Sequence, residues 1–125
     1  MDKLFLEEVI DRYRHPLHHG HRKGQKFCAQ NLSCGDDITL YLEIDDDIVK
    51  SAKFDGEICS IANYGAELLC DQIIGRNIAD AAKISSRELL GKSSGGLLEN
   101  PVRLKCFELA QMALISDRVK HPIKG

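Results

Sequence analysis

Apolar and polar positions follow two different periods along this chain, and the change from one to the other divides it. Residues 3–13 (KLFLEEVIDRY) set Leu4, Leu6, Val9, Ile10 and Tyr13 at helical spacings, with Asp2 as the N-cap. His15-Pro16 ends this helix, because a proline disfavours a helical residue before it. The polar stretch HGHRKGQ, with glycines at 20 and 24, reads as a loop. Strand signals follow. KFCAQN is short and extended, and ITLYLEI (38–44) is rich in β-branched and aromatic residues. The run Asp45-Asp46-Asp47 is a turn. IVKSAKF (48–54) then alternates Ile48, Lys50, Ala52 and Phe54 against Val49, Ser51 and Lys53. The two runs predict a hairpin, closed off by Asp55-Gly56-Glu57.

The rest of the chain has a helical period. A helix over 60–74 (SIANYGAELLCDQII) is stopped by Gly75. Asn77 caps a short helix, IADAAKI, and Ser85 or Ser86 caps another, RELLG. GKSSGG is a loop. Pro101 occupies the first turn of a last amphipathic helix over 102–118. Strands come first and helices later, which predicts an α+β fold rather than a parallel βαβ repeat.

Composition narrows the function classes. The 125 residues suit a single domain, 1–125, and 43% apolar with 29% charged residues is ordinary for a globular chain. A net charge of −2 gives no electrostatic footprint for nucleic acid or a membrane surface. The start MDKLFLEEVI is too charged for a signal peptide, and no apolar run reaches the roughly 20 residues that span a bilayer. The expected location is the cytoplasm. There, five cysteines read as metal ligands or reactive thiols rather than as paired bridges.

Three cysteines sit where chemistry is plausible. Cys34 lies in Ser33-Cys34-Gly35-Asp36, immediately before the best strand; Gly35 lets Cys34 and Asp36 face one side as a thiolate–carboxylate pair. Alone, this tetrapeptide is a weak signal and reads rather as a loop thiol beside a surface acid. Cys59 stands at the junction of strand and helix, where free amides and the helix dipole favour thiolate; alone, it reads equally as a structural cysteine. Cys106 follows Arg103 and Lys105 in the first turns of the last helix, and these two cations modulate it in the same sense. Alone, it reads as a buried helix cysteine. Cys70 lies about 16 Å from Cys59 along one helix, too far to share a metal, and its apolar neighbours assign it to the core. Cys28 beside Phe27 is a packing or incidental thiol. His15, His18, His19 and His21 are dense but fit no regular ligand spacing, and read as a solvated loop.

Together these residues resemble the U-type iron–sulfur scaffolds, the group of IscU, SufU and the amino-terminal part of NifU. The resemblance covers nearly the whole chain. It is carried by Asp11-Arg12-Tyr13-Arg14-His15-Pro16 with Gly20, by Asn31–Leu40 around Cys34 and Asp36, by Ala52–Ile61 around Cys59, and by Pro101–Cys106. It implies a three-stranded antiparallel sheet with helices on one face, and Cys34, Asp36, Cys59 and Cys106 as ligands at one exposed end. It further implies a scaffold or carrier rather than a turnover enzyme. A cysteine desulfurase passes sulfane sulfur to Cys106, a two-iron two-sulfur cluster forms, and apo-proteins receive it. Asp36 is then the exchangeable ligand that keeps the cluster labile, since carboxylate holds iron or zinc less tightly than thiolate. The scaffold is expected as a monomer or weak homodimer.

The alternative within the same resemblance is a zinc-dependent sulfur acceptor that activates the desulfurase, with the same four residues holding zinc. The chain departs from the family pattern in three places. Ile58 replaces the usual glycine before the second cysteine. Lys105 replaces the histidine found before the third in many members, leaving it a candidate ion-pair partner for Asp36. Asn100-Pro101-Val102-Arg103 stands where one branch carries its chaperone-binding segment. The branch stays open.

Overall fold

Asp46 and Asp47 both take positive φ, 55° and 64°, and make the two-residue turn that sets the centre of the sheet. The computed structural model describes residues 3–20, 24–31, 35–91 and 96–120. Around that turn, β2 (Asp36–Asp45) pairs antiparallel with β3 (Ile48–Asp55), and β1 (Gln25–Asn31) pairs antiparallel with β2 on its other edge. The order is β1-β2-β3. The α+β fold and the three-stranded antiparallel sheet are as expected.

The alternation of β3 is interrupted. Leu42 pairs with Ala52 and Glu43 with Ser51, but Ile44 pairs with Val49, so Lys50 is an extra residue at a bulge. A bulge shifts a period-two pattern by one. Val49, not Ile48, therefore joins Ala52 and Phe54 on the core side, opposite Leu40 and Leu42.

The helices are α1 (Lys3–Arg14), α2 (Ser60–Ile73), α3 (Ile78–Ala81), α4 (Ser86–Leu90), α5 (Pro101–Phe107) and α6 (Leu109–Lys120), with a 3₁₀ turn at Leu97–Glu99. Helices α2 and α6 pack on the sheet and bury Ile61, Leu69 and Ile73 from one, and Leu109, Ala113 and Leu114 from the other. Asn77 and Ser85 cap α3 and α4 as expected, Ser85 with Glu88 in a reciprocal capping box. Gly75, at φ +90°, follows the end of α2. The Asp2 cap and residues 92–95 of the GKSSGG loop lie outside the described residues.

Two expectations need correction. In α1 the buried residues are Phe5 and Val9, while Leu4, Leu6, Ile10 and Tyr13 are exposed. The buried stripe continues to Arg12, whose charge partners lie 55 and 59 residues away in sequence, so local periodicity pointed to the wrong face. The last helix is also not continuous. It breaks at Glu108, whose ψ is 1° rather than helical and whose carboxylate accepts a hydrogen bond of 2.5 Å from the Ser86 hydroxyl. Asn100 caps its first part, accepting from the Arg103 amide at 3.2 Å.

Candidate metal centre

The site forms where the β1–β2 turn, the end of β3 and the start of α2 meet. Asn31 and Asp36 are the last paired residues of β1 and β2, and the Gly35 amide donates to the Asn31 carbonyl at 2.9 Å. Asp36 thus begins β2, with 9% of its surface exposed. Beyond β3 the chain returns alongside it. The Asp37 amide donates to the Glu57 carbonyl at 3.0 Å, and the Glu57 amide faces the Asp37 carboxylate at 3.4 Å. Gly56 permits this approach: at φ +135°, a Cβ there would lie 2.2 Å from the Asp37 carbonyl oxygen. Ile58, which replaces the usual glycine, packs half-buried against the core.

Cys59 is the N-cap of α2, and its sulfur accepts from the Ala62 amide at 3.5 Å. Its own amide donates to Asp36 Oδ2 at 3.4 Å. Cys106 enters from α5. One donor atom each from Asp36, Cys59 and Cys106 lie within 4.8 Å of one another, from residues 23 and 47 apart along the chain. Beside them is an open recess of about 520 Å³ lined by Tyr13, Gly35, Asp36, Gly56, Glu57, Ile58 and Cys59.

The helix-start position of Cys59 is as expected, but its effect on the thiol is not. Cys59 is exposed as a residue, but partial desolvation of its sulfur pushes the thiol above its ordinary value, Asp36 pushes it further, and the hydrogen bonds from the Ala62 and Ile61 amides offset this only in part. The nearby carboxylate and the loss of water outweigh the helix terminus. Arg103 and Lys105 are exposed, and the ion pairs among the described residues do not include one between Lys105 and Asp36.

Two thiolates and a carboxylate suit zinc or iron bound tetrahedrally. With metal–sulfur bonds of ~2.3 Å the donors of such a site stand about 3.8 Å apart. The three donors therefore need to close by at most about one ångström to share a metal. Cys34 lies outside the described residues.

The remaining candidates fall elsewhere. Cys70 is buried in the core, and burial raises its thiol well above the ordinary value. Cys28 is exposed on the outer face of the sheet with its sulfur 3.5 Å from the Thr39 hydroxyl. His15 and His19 are exposed and His18 is half-buried, so the loop is largely solvated as expected, but its backbone is anchored. Phe54 donates to the His18 carbonyl at 2.9 Å and accepts from the Gly20 amide at 2.8 Å, and the His19 ring meets the Phe54 ring edge-on at 5.7 Å. His21 lies outside the described residues.

That loop is held by a residue the sequence reading passed over. Glu67 is fully buried on α2, and its carboxylate accepts from Arg12 at 3.0 Å, from the Leu17 amide at 2.7 Å and from the His18 amide at 2.8 Å. Arg12 also reaches Asp71 at 2.7 Å, and so does the His18 ring. The signal was a lone carboxylate in the apolar run GAELLC, matched by an arginine on the buried stripe of α1.

Comparisons with known proteins agree on what the chain is similar to. Residues 4–123 match the family described as NifU-like N terminal domain. The iron-sulfur cluster assembly scaffold protein IscU of Thermotoga maritima is 37% identical over 100 residues, covering 69% of this chain and 70% of that protein. The zinc-dependent sulfurtransferase SufU of Bacillus subtilis is 32% identical over 130 residues, covering 91% of this chain and 88% of that one. Among solved structures, an iron-sulfur cluster assembly scaffold protein for the SUF system from Fervidobacterium islandicum AW-1 superposes with a TM-score of 0.72 at 29% identity. It covers 86% of this chain and 91% of its own. Among the described residues, no helix is long and apolar enough to cross a membrane.

Proposed function

The chain belongs to the NifU-like N-terminal domain family of iron–sulfur cluster assembly scaffolds, and from that premise we propose that it builds a two-iron two-sulfur cluster and passes it to apo-proteins. Cys34, Asp36, Cys59 and Cys106 hold the cargo. The observation that carries this reading is the convergence of Asp36, Cys59 and Cys106 to within 4.8 Å beside an open recess. A closed structural zinc site has no use for an exchangeable carboxylate in the wall of an open recess; a delivery site does.

Cys106 is the sulfur acceptor. Its thiolate attacks the outer sulfur of a desulfurase persulfide, the sulfur–sulfur bond breaks, the desulfurase thiolate leaves, and Cys106 carries the persulfide. Cys106 enters the donor cluster from α5, on a different element from Asp36 and Cys59, and lies beside the exposed cations Arg103 and Lys105, which favour its thiolate. Reduction of the sulfane sulfur to sulfide draws electrons from iron and from a donor outside the chain. Asp36 is the ligand that exchanges. Its carboxylate binds more weakly than the thiolates, yet it sits at the start of a paired strand, so it returns to the same place when free.

The second reading is a zinc-dependent sulfurtransferase that activates its desulfurase. The match to the Bacillus subtilis sulfurtransferase over nine-tenths of this chain favours it, and the donor set suits zinc equally well. One preparation separates the two. The protein is purified anaerobically, given iron, cysteine and a desulfurase, and followed by visible absorption and Mössbauer spectroscopy. The scaffold reading expects cluster bands that disappear on transfer to an apo-protein. Retained zinc, no cluster and faster desulfurase turnover would overturn it.

Asp36→Ala tests the exchangeable ligand. With added dithiol to fill the vacated position by a softer donor, the reconstituted cluster is expected to outlive the wild-type cluster several-fold. Loss of its visible bands at the wild-type rate or faster would refute this role for Asp36.

A further inference from the structure

Gly65 lies in the middle of α2, buried, where an alanine would be the better helix former by roughly 1 kcal/mol. Its backbone does not require glycine, since it stays in the ordinary helical region. What requires glycine is space. A Cβ at this position would stand 2.0 Å from the Phe107 carbonyl oxygen, 2.9 Å from its carbon and 3.2 Å from the Phe107 Cα. All three are backbone atoms, so no side-chain rotation relieves the clash.

Phe107 is the last residue of α5 and the neighbour of Cys106. Its ring is fully buried and lies 6.3 Å from the Tyr64 ring, centroid to centroid. One residue further on, Glu108 is anchored to Ser86. The end of α5 is thus pressed onto α2 at one point, and α2 carries Cys59 as its N-cap. The two thiols come from different helices, and the contact at Gly65 governs how closely those helices approach.

We propose that Gly65 is a positioning residue, whose missing side chain sets the separation of Cys59 and Cys106. The proposal rests on the metal-holding role of these thiols for its purpose, though not for its geometry. A methyl group at Gly65 has to open a 2.0 Å approach beyond 3.0 Å, moving the Phe107 backbone by at least one ångström. Cys106 moves with it. Donors already within 4.8 Å and needing about 3.8 Å tolerate little of that.

The test measures thiol separation and metal binding independently. In a background with Cys28, Cys34 and Cys70 replaced, only Cys59 and Cys106 remain for dibromobimane, which fluoresces when both of its arms alkylate thiols. Gly65→Ala is expected to slow bridging about tenfold while each thiol still reacts normally with a monofunctional reagent. In the full-cysteine protein, cobalt(II) titration of Gly65→Ala should give the weaker thiolate-to-cobalt absorbance of Cys106→Ser, and adding Cys106→Ser to Gly65→Ala should cost nothing more. Bridging at the wild-type rate in folded Gly65→Ala overturns the proposal, and so does a full further loss on adding Cys106→Ser. If Gly65→Ala does not fold, Gly65→Ala/Glu108→Ala is compared with Glu108→Ala alone, since releasing the Ser86 anchor lets α5 recede; the same outcomes decide. A wild-type protein that bridges readily but binds neither cobalt nor a cluster would refute the metal reading and leave the positioning role standing.

Discussion

Cys106→Ser is expected to abolish persulfide capture and to weaken zinc or cobalt binding by about 100-fold or more. Outer groups that merely orient a ligand cost 10–100-fold when removed, and Cys106 is proposed as a ligand itself. The serine hydroxyl fits the space left by the thiol, so the fold should be retained, but it is neither a soft donor nor a nucleophile for sulfane sulfur. Capture is read by mass spectrometry after incubation with a desulfurase and cysteine: the wild type gains the mass of one sulfur at Cys106, and the variant gains none. Cys70→Ala is the matched control. Cys70 is fully buried on α2, about three turns beyond Cys59, and its loss should cost about 1 kcal/mol of stability while capture continues unchanged. Equal losses from the two variants would overturn the assignment of Cys106.

The largest stability effect is expected from Glu67→Ala, roughly 3–5 kcal/mol, because it removes a fully buried carboxylate from a partly buried ion pair and strands its partners. The Leu17 and His18 amides lose their acceptor, Arg12 keeps only Asp71, and a cavity opens on α2. For a domain of this size that corresponds to a fall in melting temperature on the order of 10–20 °C. Glu67→Gln keeps the shape and one acceptor oxygen and should lose markedly less. Burial works against the charge on Arg12, but its hydrogen bonds to Asp71 and Glu67 outweigh this and hold the guanidinium above its ordinary value. The damage should spread to the site. The His18 carbonyl and the Gly20 amide bond to Phe54 at the end of β3, and that strand leads into the turn before Cys59. Amide exchange at Phe54 and Gly20 should therefore accelerate together with the loss of stability. A Glu67→Ala protein that melts within 2 °C of the wild type would show that this carboxylate does not tie α1 to α2.

Much of the fold was legible because its signals are local. The Asp46-Asp47 turn, the Asn77 and Ser85 caps and the arrest of α2 at Gly75 each need only a few neighbouring residues. Where the reading failed, the deciding partner was remote. The bulge at Lys50 is defined by pairing with β2, and it exchanged Val49 for Ile48 on the core side. The buried face of α1 follows from Arg12 meeting Glu67 and Asp71 across the molecule. The break at Glu108 follows from Ser86, 22 residues earlier.

The same division runs through the site. The sequence by itself determined which donor side chains are on offer: a carboxylate two residues after Cys34, a cysteine at a helix start, and a third between Arg103 and Phe107, in an order that resembles one family. Side-chain type and local backbone are properties of short segments. Only the tertiary structure decided that Asp36, Cys59 and Cys106 meet within 4.8 Å, that partial desolvation and Asp36 raise the Cys59 thiol, and that Gly65 lets α5 lie so close to α2. Separation and desolvation depend on what the rest of the chain packs around a residue, and that packing exists only once the chain has folded.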